Sequence, residues 1–167
     1  MVMPVISATV GGMSVPETLL PAALRARPSF VLARLGAMAR QRCADLLATV
    51  GLGQHQHAIL CCLDEYGAAC QRDIAARLGL DSGDLVAFID GLQERGLVLR
   101  ERDARDRRRQ VVSLTADGRR LLRQTESLLD AAEPGILAAL SETERTELGR
   151  LAARVLALRE PAAWAGL

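Results

Sequence analysis

The residues with the clearest chemical potential form an arginine-rich segment past the middle of the chain. Residues 95–123 hold ten arginines against four acids, a net charge of +6, whereas the whole chain carries only +1. A guanidinium is a planar, permanently charged donor that suits phosphate and guanine. The segment therefore predicts a localised contact with a polyanion. The plain alternative is a solvated, charged hairpin.

The histidines and cysteines form a second group of reactive side chains. His55 and His57 point about 200° apart on a helix and make a poor metal clamp alone, so we expect no metal site and no cofactor. The cysteines at positions 43, 61, 62 and 70 lack CxxC spacing, which favours reduced, buried thiols. A redox role for Cys43 or Cys70 stays open.

Enzyme chemistry and membrane insertion have little support in the sequence. It contains no GxSxG elbow, phosphate loop or HExxH motif, and we therefore expect no enzyme. No apolar run reaches the roughly 18 residues of a membrane-spanning helix. The N-terminal residues lack the basic start of a signal peptide. These observations predict a cytoplasmic protein that does not contact membranes.

Apolar periodicity predicts the elements that position these residues. Half of the residues are hydrophobic but only 2% are aromatic, which favours packed helices over a β-sandwich. Residues 97–99 and 111–114 are short β-prone runs and predict a hairpin around the charged segment. Pro134-Gly135 is expected to end one helix, and a capping box begins the next at Ser141. The predicted helices cover about residues 28–50, 54–66, 71–78, 82–95, 115–132 and 141–159.

The order of these elements predicts one winged helix-turn-helix domain, mainly α with a small β-hairpin wing, over residues 29–160. The winged module occupies about 54–115, and helices at about 29–50 and 116–159 flank it. Because a small module cannot cover the apolar faces of these helices, we expect them to pack on a second copy as dimerisation helices. Residues 1–28 are expected to form a flexible or dimer-contacting extension, and 161–167 a tail.

Three consecutive stretches closely resemble the MarR family of bacterial regulators: Ile74–Leu85, Asp90–Val98 and Arg102–Gly118. They contain a helix-turn-helix, a Gly-Leu-Val strand, an arginine-rich wing and a closing Val-x-Leu-Thr-x-x-Gly. The resemblance covers nearly the whole chain. It implies a sequence-specific transcriptional regulator, a ligand-responsive repressor that binds a palindromic operator in double-stranded DNA as a homodimer.

The resemblance assigns DNA contacts to the wing and to the recognition helix. We expect Arg107 to enter the minor groove, where narrow A·T segments concentrate negative potential. Arg105 and Arg108 would contact phosphates, and Asp106 would orient a neighbouring arginine, with turn chemistry as the alternative. The recognition face is poor in base-reading side chains, and Asp84 either reads a cytosine or serves the helix N-terminus. The whole predicted set is Arg72, Arg77, Ser82, Gly83, Asp84, Val86, Ala87, Arg102, Arg105, Asp106, Arg107 and Arg108.

The resemblance also implies a pocket for a small aromatic or phenolic effector. The predicted lining is Met38, Cys43, His55, His57, Cys61 and Tyr66. The hydroperoxide-sensing branch of the family places a reactive cysteine near the start of the first helix, where this chain has Ser29, so we expect that mechanism to be absent. Two alternatives stay open: a redox-responsive regulator acting through another cysteine, and a dimeric interaction protein with weakened DNA binding.

Overall fold

A computed structural model describes residues 19–103, 106–161 and 163–164. Within these ranges the chain forms helices and one hairpin, which confirms the predicted fold class of a mainly helical protein with a β-hairpin wing. The elements are α1 (Ala22–Arg25), α2 (Pro28–Thr49), α3 (Gln54–Tyr66), α4 (Gln71–Leu78), α5 (Ser82–Glu94), β1 (Val98–Arg102), β2 (Gln110–Leu114), α6 (Ala116–Ile136) and α7 (Glu142–Leu156).

The chain divides into two compact units between Met38 and Ala39, inside α2. In the first unit, α1 is a single helical turn that the sequence did not predict, and it has no buried residue. The start of α2 leaves Val31 and Leu32 about half exposed. These apolar side chains are therefore not covered by other described residues of the first unit.

Local side-chain caps explain where the predicted helices begin. The Asp81 carboxylate accepts from the Gly83 amide at 2.7 Å before α5, and the Thr115 hydroxyl accepts from the Gly118 amide at 3.0 Å before α6. Ser141 and Glu144 form the predicted capping box of α7. Each cap satisfies amides that have no partner within the helix, so these starts were visible in the sequence.

The core of the second unit lies among α3, α4, α5, α6 and the hairpin. Leu85, Ile89 and Leu92 recur at helical spacing and form the buried face of α5, and each is no more than 1% exposed. Their partners include Ile59, Leu60, Leu63, Ile74, Val98 and Val112. This packing fixes the orientation of α5 and leaves its opposite face to solvent.

The hairpin is longer and better anchored than the sequence predicted. β1 and β2 are antiparallel, from Val98 opposite Leu114 to Arg102 opposite Gln110. The predicted first strand ended at Leu99, but main-chain pairing continues through Arg100, Glu101 and Arg102. The ladder uses backbone groups only, while the Glu101 and Arg102 side chains are exposed and the Arg100 side chain pairs with Asp90. Ala69, just before α4, adds an isolated bridge to Val112, with N–O distances of 2.8 Å and 3.1 Å. The helix-turn-helix and the wing therefore share main-chain hydrogen bonds.

Helix α6 continues through Pro134 to Ile136, so the prediction that Pro134-Gly135 would end it was wrong. A proline removes one amide donor and crowds the preceding turn, but here it lies in the last turn, where few helical bonds remain to be lost. Neither α6 nor another helix of the described residues combines the length and apolarity needed to cross a membrane.

Candidate nucleic-acid interface

The described residues at the tip of the hairpin, from Asp106 to Arg109, form a hydrogen-bonded turn. The Asp106 carboxylate accepts from the Arg108 amide at 3.0 Å, and its carbonyl accepts from the Arg109 amide at 2.9 Å. The Asp103 amide donates to the Arg109 carbonyl at 2.9 Å. Asp106 thus performs the turn chemistry that was the alternative to orienting an arginine side chain. Its carboxylate is directed to the backbone and shapes the tip.

Several arginines of the basic segment hold the fold together. Arg100 pairs with Asp90 at 2.5 Å and ties β1 to α5. Arg102 donates to the carbonyl of Arg107 at 3.1 Å and closes the tip. Arg95 donates to the carbonyls of Val50 and Gly51 at 3.1 Å and 2.5 Å, at the C-terminal end of α2. These arginines therefore stabilise the fold through internal contacts, and they also add to the positive electrostatic potential around the wing.

Arg107 and Arg108 differ from these structural arginines. Both are exposed at the tip, and within the described ranges neither side chain has a hydrogen-bond or ion-pair partner. Arg105, predicted to contact phosphate, lies outside the described residues. A guanidinium at a turn tip with no internal partner is available to an external anion. The fold thus presents two adjacent cations at the end of a hydrogen-bonded hairpin.

The outward face of α5 is as small and as acidic as the sequence predicted. Ser82, Gly83, Asp84, Val86 and Ala87 are all exposed. Asp81 caps the helix, and Asp84 lies in its first turn. The negative charge of Asp84 there interacts favourably with the positive end of the helix dipole.

Helix α4 contributes two exposed arginines beside this face. The guanidinium of Arg77 lies 4.9 Å from the centre of the Tyr66 ring, a cation–π contact at the surface. Arg72 is exposed and directed away from the core. A third arginine, Arg109 of the wing, lies 3.5 Å from Asp73 of α4. A hydrogen bond from Cys70 and the charge of Arg109 lower the pKa of the Asp73 carboxyl, which favours the ionised form of this link between wing and helix.

A separate polar cluster joins α3 to α6. The His57 Nε2 atom lies 2.7 Å from the Glu126 Oε1 atom, and the Cys61 Sγ atom lies 3.5 Å from Nε2 and 3.8 Å from Oε1. The His57 side chain is only 17% exposed. Burial, followed by the charge of Glu126, raises the pKa of the Cys61 thiol to about 11. Without a bound cation, Cys61 is therefore a neutral thiol and a weak nucleophile.

The cluster opens into a cleft of about 610 Å³. Its lining is Cys61, Asp64, Glu65, Leu122, Arg123, Glu126, Ser127 and Asp130. Four of these eight side chains are acids and one is a base. The cleft lies beside His57 and Cys61 of the predicted effector pocket, and its charge favours a cationic or neutral ligand over an anionic one.

The structure brings together only part of the predicted effector pocket. His57 and Cys61 lie in the cluster, whereas His55 stacks on Phe88 with ring centres 5.0 Å apart. Tyr66 is 58% exposed beneath Arg77, and Met38 is 61% exposed. Cys43 is half-buried in α2. Sequence reasoning missed Glu126; the one available signal was the four-residue spacing of His57 and Cys61, which puts both on one helix face.

Comparison with known proteins agrees with this geometry. The model of the MarR family matches residues 52–109, from the start of α3 to the wing. The organic hydroperoxide resistance transcriptional regulator of Bacillus subtilis (strain 168) is 30% identical over 115 residues, which cover 69% of this chain and 75% of the relative.

Solved structures show the same fold. CouR from Rhodococcus jostii RHA1, bound to p-coumaroyl-CoA, is 30% identical with a TM-score of 0.67, over 81% of this chain and 95% of CouR. CouR bound to a 23-mer DNA duplex is 28% identical with a TM-score of 0.74, over 84% of this chain and 99% of that one. The winged-helix fold, the family match and the similarity to these relatives lead to the same conclusion. The chain belongs to the MarR family of transcriptional regulators.

Proposed function

We propose that this regulator represses transcription by binding a palindromic operator as a homodimer. The observation that carries the proposal is the pair of exposed guanidiniums of Arg107 and Arg108, which have no partner among the described residues. They lie at the tip of a hairpin that the Arg100–Asp90 ion pair joins to α5. A thin hairpin tip that carries arginines suits the minor groove when the adjacent helix lies in the major groove. A structure of CouR, which has the same fold, holds a 23-mer DNA duplex, and this supports DNA binding by the present chain.

Recognition of the operator would depend more on the arginines of the wing tip than on the outer face of α5. The side chains on the outer face of α5 are small or acidic, so they offer few donors to guanine or adenine edges. Val86, which is 41% exposed, suits a thymine methyl group. The arginines of the tip respond to groove width and phosphate position. We therefore propose that DNA shape contributes much of the specificity, with Arg72 and Arg77 as phosphate anchors.

The experiment that tests DNA binding is a titration of labelled DNA at several salt concentrations. Each phosphate that the protein neutralises contributes about −0.9 to the slope of log affinity against log salt. A dimer that makes roughly six contacts should lose about 1,000-fold in affinity between about 50 and 200 mM salt. Fragments selected from genomic DNA and a scrambled duplex serve as target and control. No binding to any selected fragment at low salt would favour the alternative, an interaction protein that has lost DNA binding.

The homodimer is proposed from an apolar helix surface that the single chain leaves uncovered. Helix α7 has no buried residue. Its Leu151 and Val155 side chains are 45% and 63% exposed, and Leu158, just beyond the helix, is 83% exposed. An apolar stripe of this kind is costly in water and typical of a helix that packs on a partner. A two-fold symmetric dimer would also match the two halves of a palindrome.

Introducing a charge into this stripe should separate the protomers. We expect Val155→Glu to raise the dimer dissociation constant by roughly 100-fold or more, because an unpaired carboxylate would be buried once in each protomer. Sedimentation velocity over a range of protein concentrations measures the change. Val155→Thr keeps the side-chain shape without a charge and should weaken the dimer far less. If Val155→Glu dimerises as tightly as the unchanged protein, α7 is not the interface.

A small-molecule effector completes the proposal. The structure of CouR bound to p-coumaroyl-CoA supports the binding of a small organic molecule by this fold. The cleft of about 610 Å³ between α3 and α6 is within the size range of small-molecule sites. Its acidic lining favours a neutral aromatic or phenolic compound over an anion. Such a ligand would act by changing how α6 packs against the winged module.

A further inference from the structure

The cluster of His57, Cys61 and Glu126 has a feature that neither DNA binding nor an aromatic effector uses. His57 and Cys61 lie one turn apart on α3, and Glu126 of α6 faces both. One nitrogen, one sulfur and one oxygen donor come within 4.8 Å of one another. We propose that these three side chains form a binding site for a divalent transition metal of the zinc type. This site goes beyond the proposed function and does not depend on it.

The chemistry of the donors fits such an ion. Imidazole nitrogen, thiolate sulfur and carboxylate oxygen are the three ligand types that Zn²⁺ takes in proteins. With metal–ligand bonds of about 2.0 to 2.3 Å, tetrahedral geometry puts neighbouring donors roughly 3.3 to 3.6 Å apart. The sulfur–nitrogen and sulfur–oxygen distances are 3.5 Å and 3.8 Å, close to this range.

The third distance, 2.7 Å between His57 and Glu126, is that of a hydrogen bond. It must lengthen by about half an ångström to admit the ion, and the exposed Glu126 side chain has the freedom to do so. Binding replaces protons with the metal: the Cys61 thiol releases its proton to solvent, and the His57 Nε2 atom binds through its lone pair with the ring proton on Nδ1.

The surroundings favour a cation over an empty cluster. Asp64 and Asp130 line the same cleft as Glu126, and Arg123 is the single base among the lining residues. Carboxylates near a metal lower the free energy of the bound ion and can accept from its water ligands. Because the cleft is open to solvent beside Cys61, a water molecule has room to complete the coordination. A plain His57–Glu126 ion pair is the competing interpretation, and it gives no role to the thiol.

The direct test is titration of the metal-free protein with Co²⁺, a spectroscopic substitute for Zn²⁺. We expect about one equivalent to bind, with visible ligand-field bands of tetrahedral cobalt and a near-ultraviolet thiolate-to-cobalt band. Zn²⁺ should then displace the cobalt. Absence of the thiolate band in the unchanged protein would overturn the proposal, as would binding of cobalt without tetrahedral bands.

Matched variants assign the ligands. Cys61→Ser should abolish the thiolate band, and Glu126→Gln should keep that band while weakening Zn²⁺ about 10- to 100-fold in competition with a chelator. Glu126 is half exposed, so this variant is expected to fold even if a change at Cys61 destabilises the protein. Cys43→Ser and His55→Gln replace residues outside the cluster and should leave binding unchanged. A thiolate band that survives Cys61→Ser but vanishes in Cys43→Ser would contradict the assignment.

A second readout does not depend on spectroscopy. A ligand that binds only the folded state raises its stability with concentration. At Zn²⁺ one hundred times above its dissociation constant, the equilibrium between folded and unfolded chains should shift about 100-fold toward the folded state. The midpoint of urea unfolding should rise with Zn²⁺ in the unchanged protein and stay constant in the Cys61→Ser variant. An equal rise in both would contradict the proposal.

Discussion

Replacing Arg107 with alanine should weaken operator binding by at least about 30-fold, whereas Asp84→Ala should change it by less than about threefold. The guanidinium of Arg107 is exposed at the wing tip and has no partner in the described part of the chain. In a homodimer two such side chains are lost. One inserted arginine contributes roughly 1 to 3 kcal/mol, so the loss from two wings is at least about 2 kcal/mol, which corresponds to about 30-fold in affinity. Fluorescence anisotropy with a selected operator measures both variants.

A loss of affinity in Arg107→Ala is not expected to come from destabilisation of the fold. The contact that Arg107 makes within the protein uses its carbonyl, which accepts from Arg102 and is kept in alanine. The thermal midpoint of Arg107→Ala should therefore equal that of the unchanged protein. Arg120→Ala is the control: it removes another exposed arginine, which pairs with Asp117 on α6. It should lower the affinity for the operator by less than about threefold. If Asp84→Ala weakens binding more than Arg107→Ala, the recognition helix rather than the wing dominates.

The type of cation at the tip provides a finer test of the same hypothesis. Arg107→Lys keeps the charge but replaces a weakly hydrated planar group with a strongly hydrated ammonium. We expect it to restore phosphate attraction while losing preference for narrow A·T segments. The ratio of affinities for A·T-rich and G·C-rich flanking sequences should therefore fall in Arg107→Lys. An unchanged ratio would indicate a phosphate contact instead of insertion into the groove.

Helix boundaries and the buried face of α5 could be predicted because their causes are local. A cap such as Asp81 acts within two residues of itself, and the spacing of Leu85, Ile89 and Leu92 depends only on the helical repeat. The end of α6 was mispredicted for the opposite reason. The effect of Pro134 depends on how many helical bonds follow it, and the sequence does not show that number.

The sequence does not predict which arginines make internal contacts and which remain exposed, because this depends on the side chains that the fold brings next to them. Arg100 and Arg107 are equivalent in a count of charges, yet only Arg100 has Asp90 beside it. The metal-type cluster shows the same limit: His57 and Glu126 are 69 residues apart in sequence and 2.7 Å apart in space. A single sequence shows the helical pair His57 and Cys61 but not the residue that faces it.

The second large effect is expected at Gly118, where the wing joins α6. Its amide donates to the Thr115 hydroxyl, and that hydroxyl oxygen lies 2.8 Å and 3.0 Å from the carbonyl oxygens of Gly96 and Leu97. A Cβ atom on Gly118 would overlap the Leu97 carbonyl oxygen and approach the Leu114 Cδ1 atom to 2.8 Å. Leu97 cannot retreat, because its side chain is buried and its carbonyl also accepts from the Thr115 amide.

Gly118→Ala should therefore destabilise the protein by about 3 kcal/mol, the upper end of the usual cost of overpacking, because the overlap is with backbone that is held in place. Helix propensity alone predicts the opposite sign, since alanine stabilises a helix relative to glycine by about 1 kcal/mol. A destabilised Gly118→Ala variant would therefore indicate the steric overlap. Gly149 of α7 provides the matched control: nothing lies within 4 Å of its added Cβ, so Gly149→Ala should be neutral or slightly stabilising. Urea unfolding at equal protein concentration compares the two. If Gly118→Ala unfolds at the same urea concentration as Gly149→Ala, then close approach of the wing to α6 is not what requires glycine there.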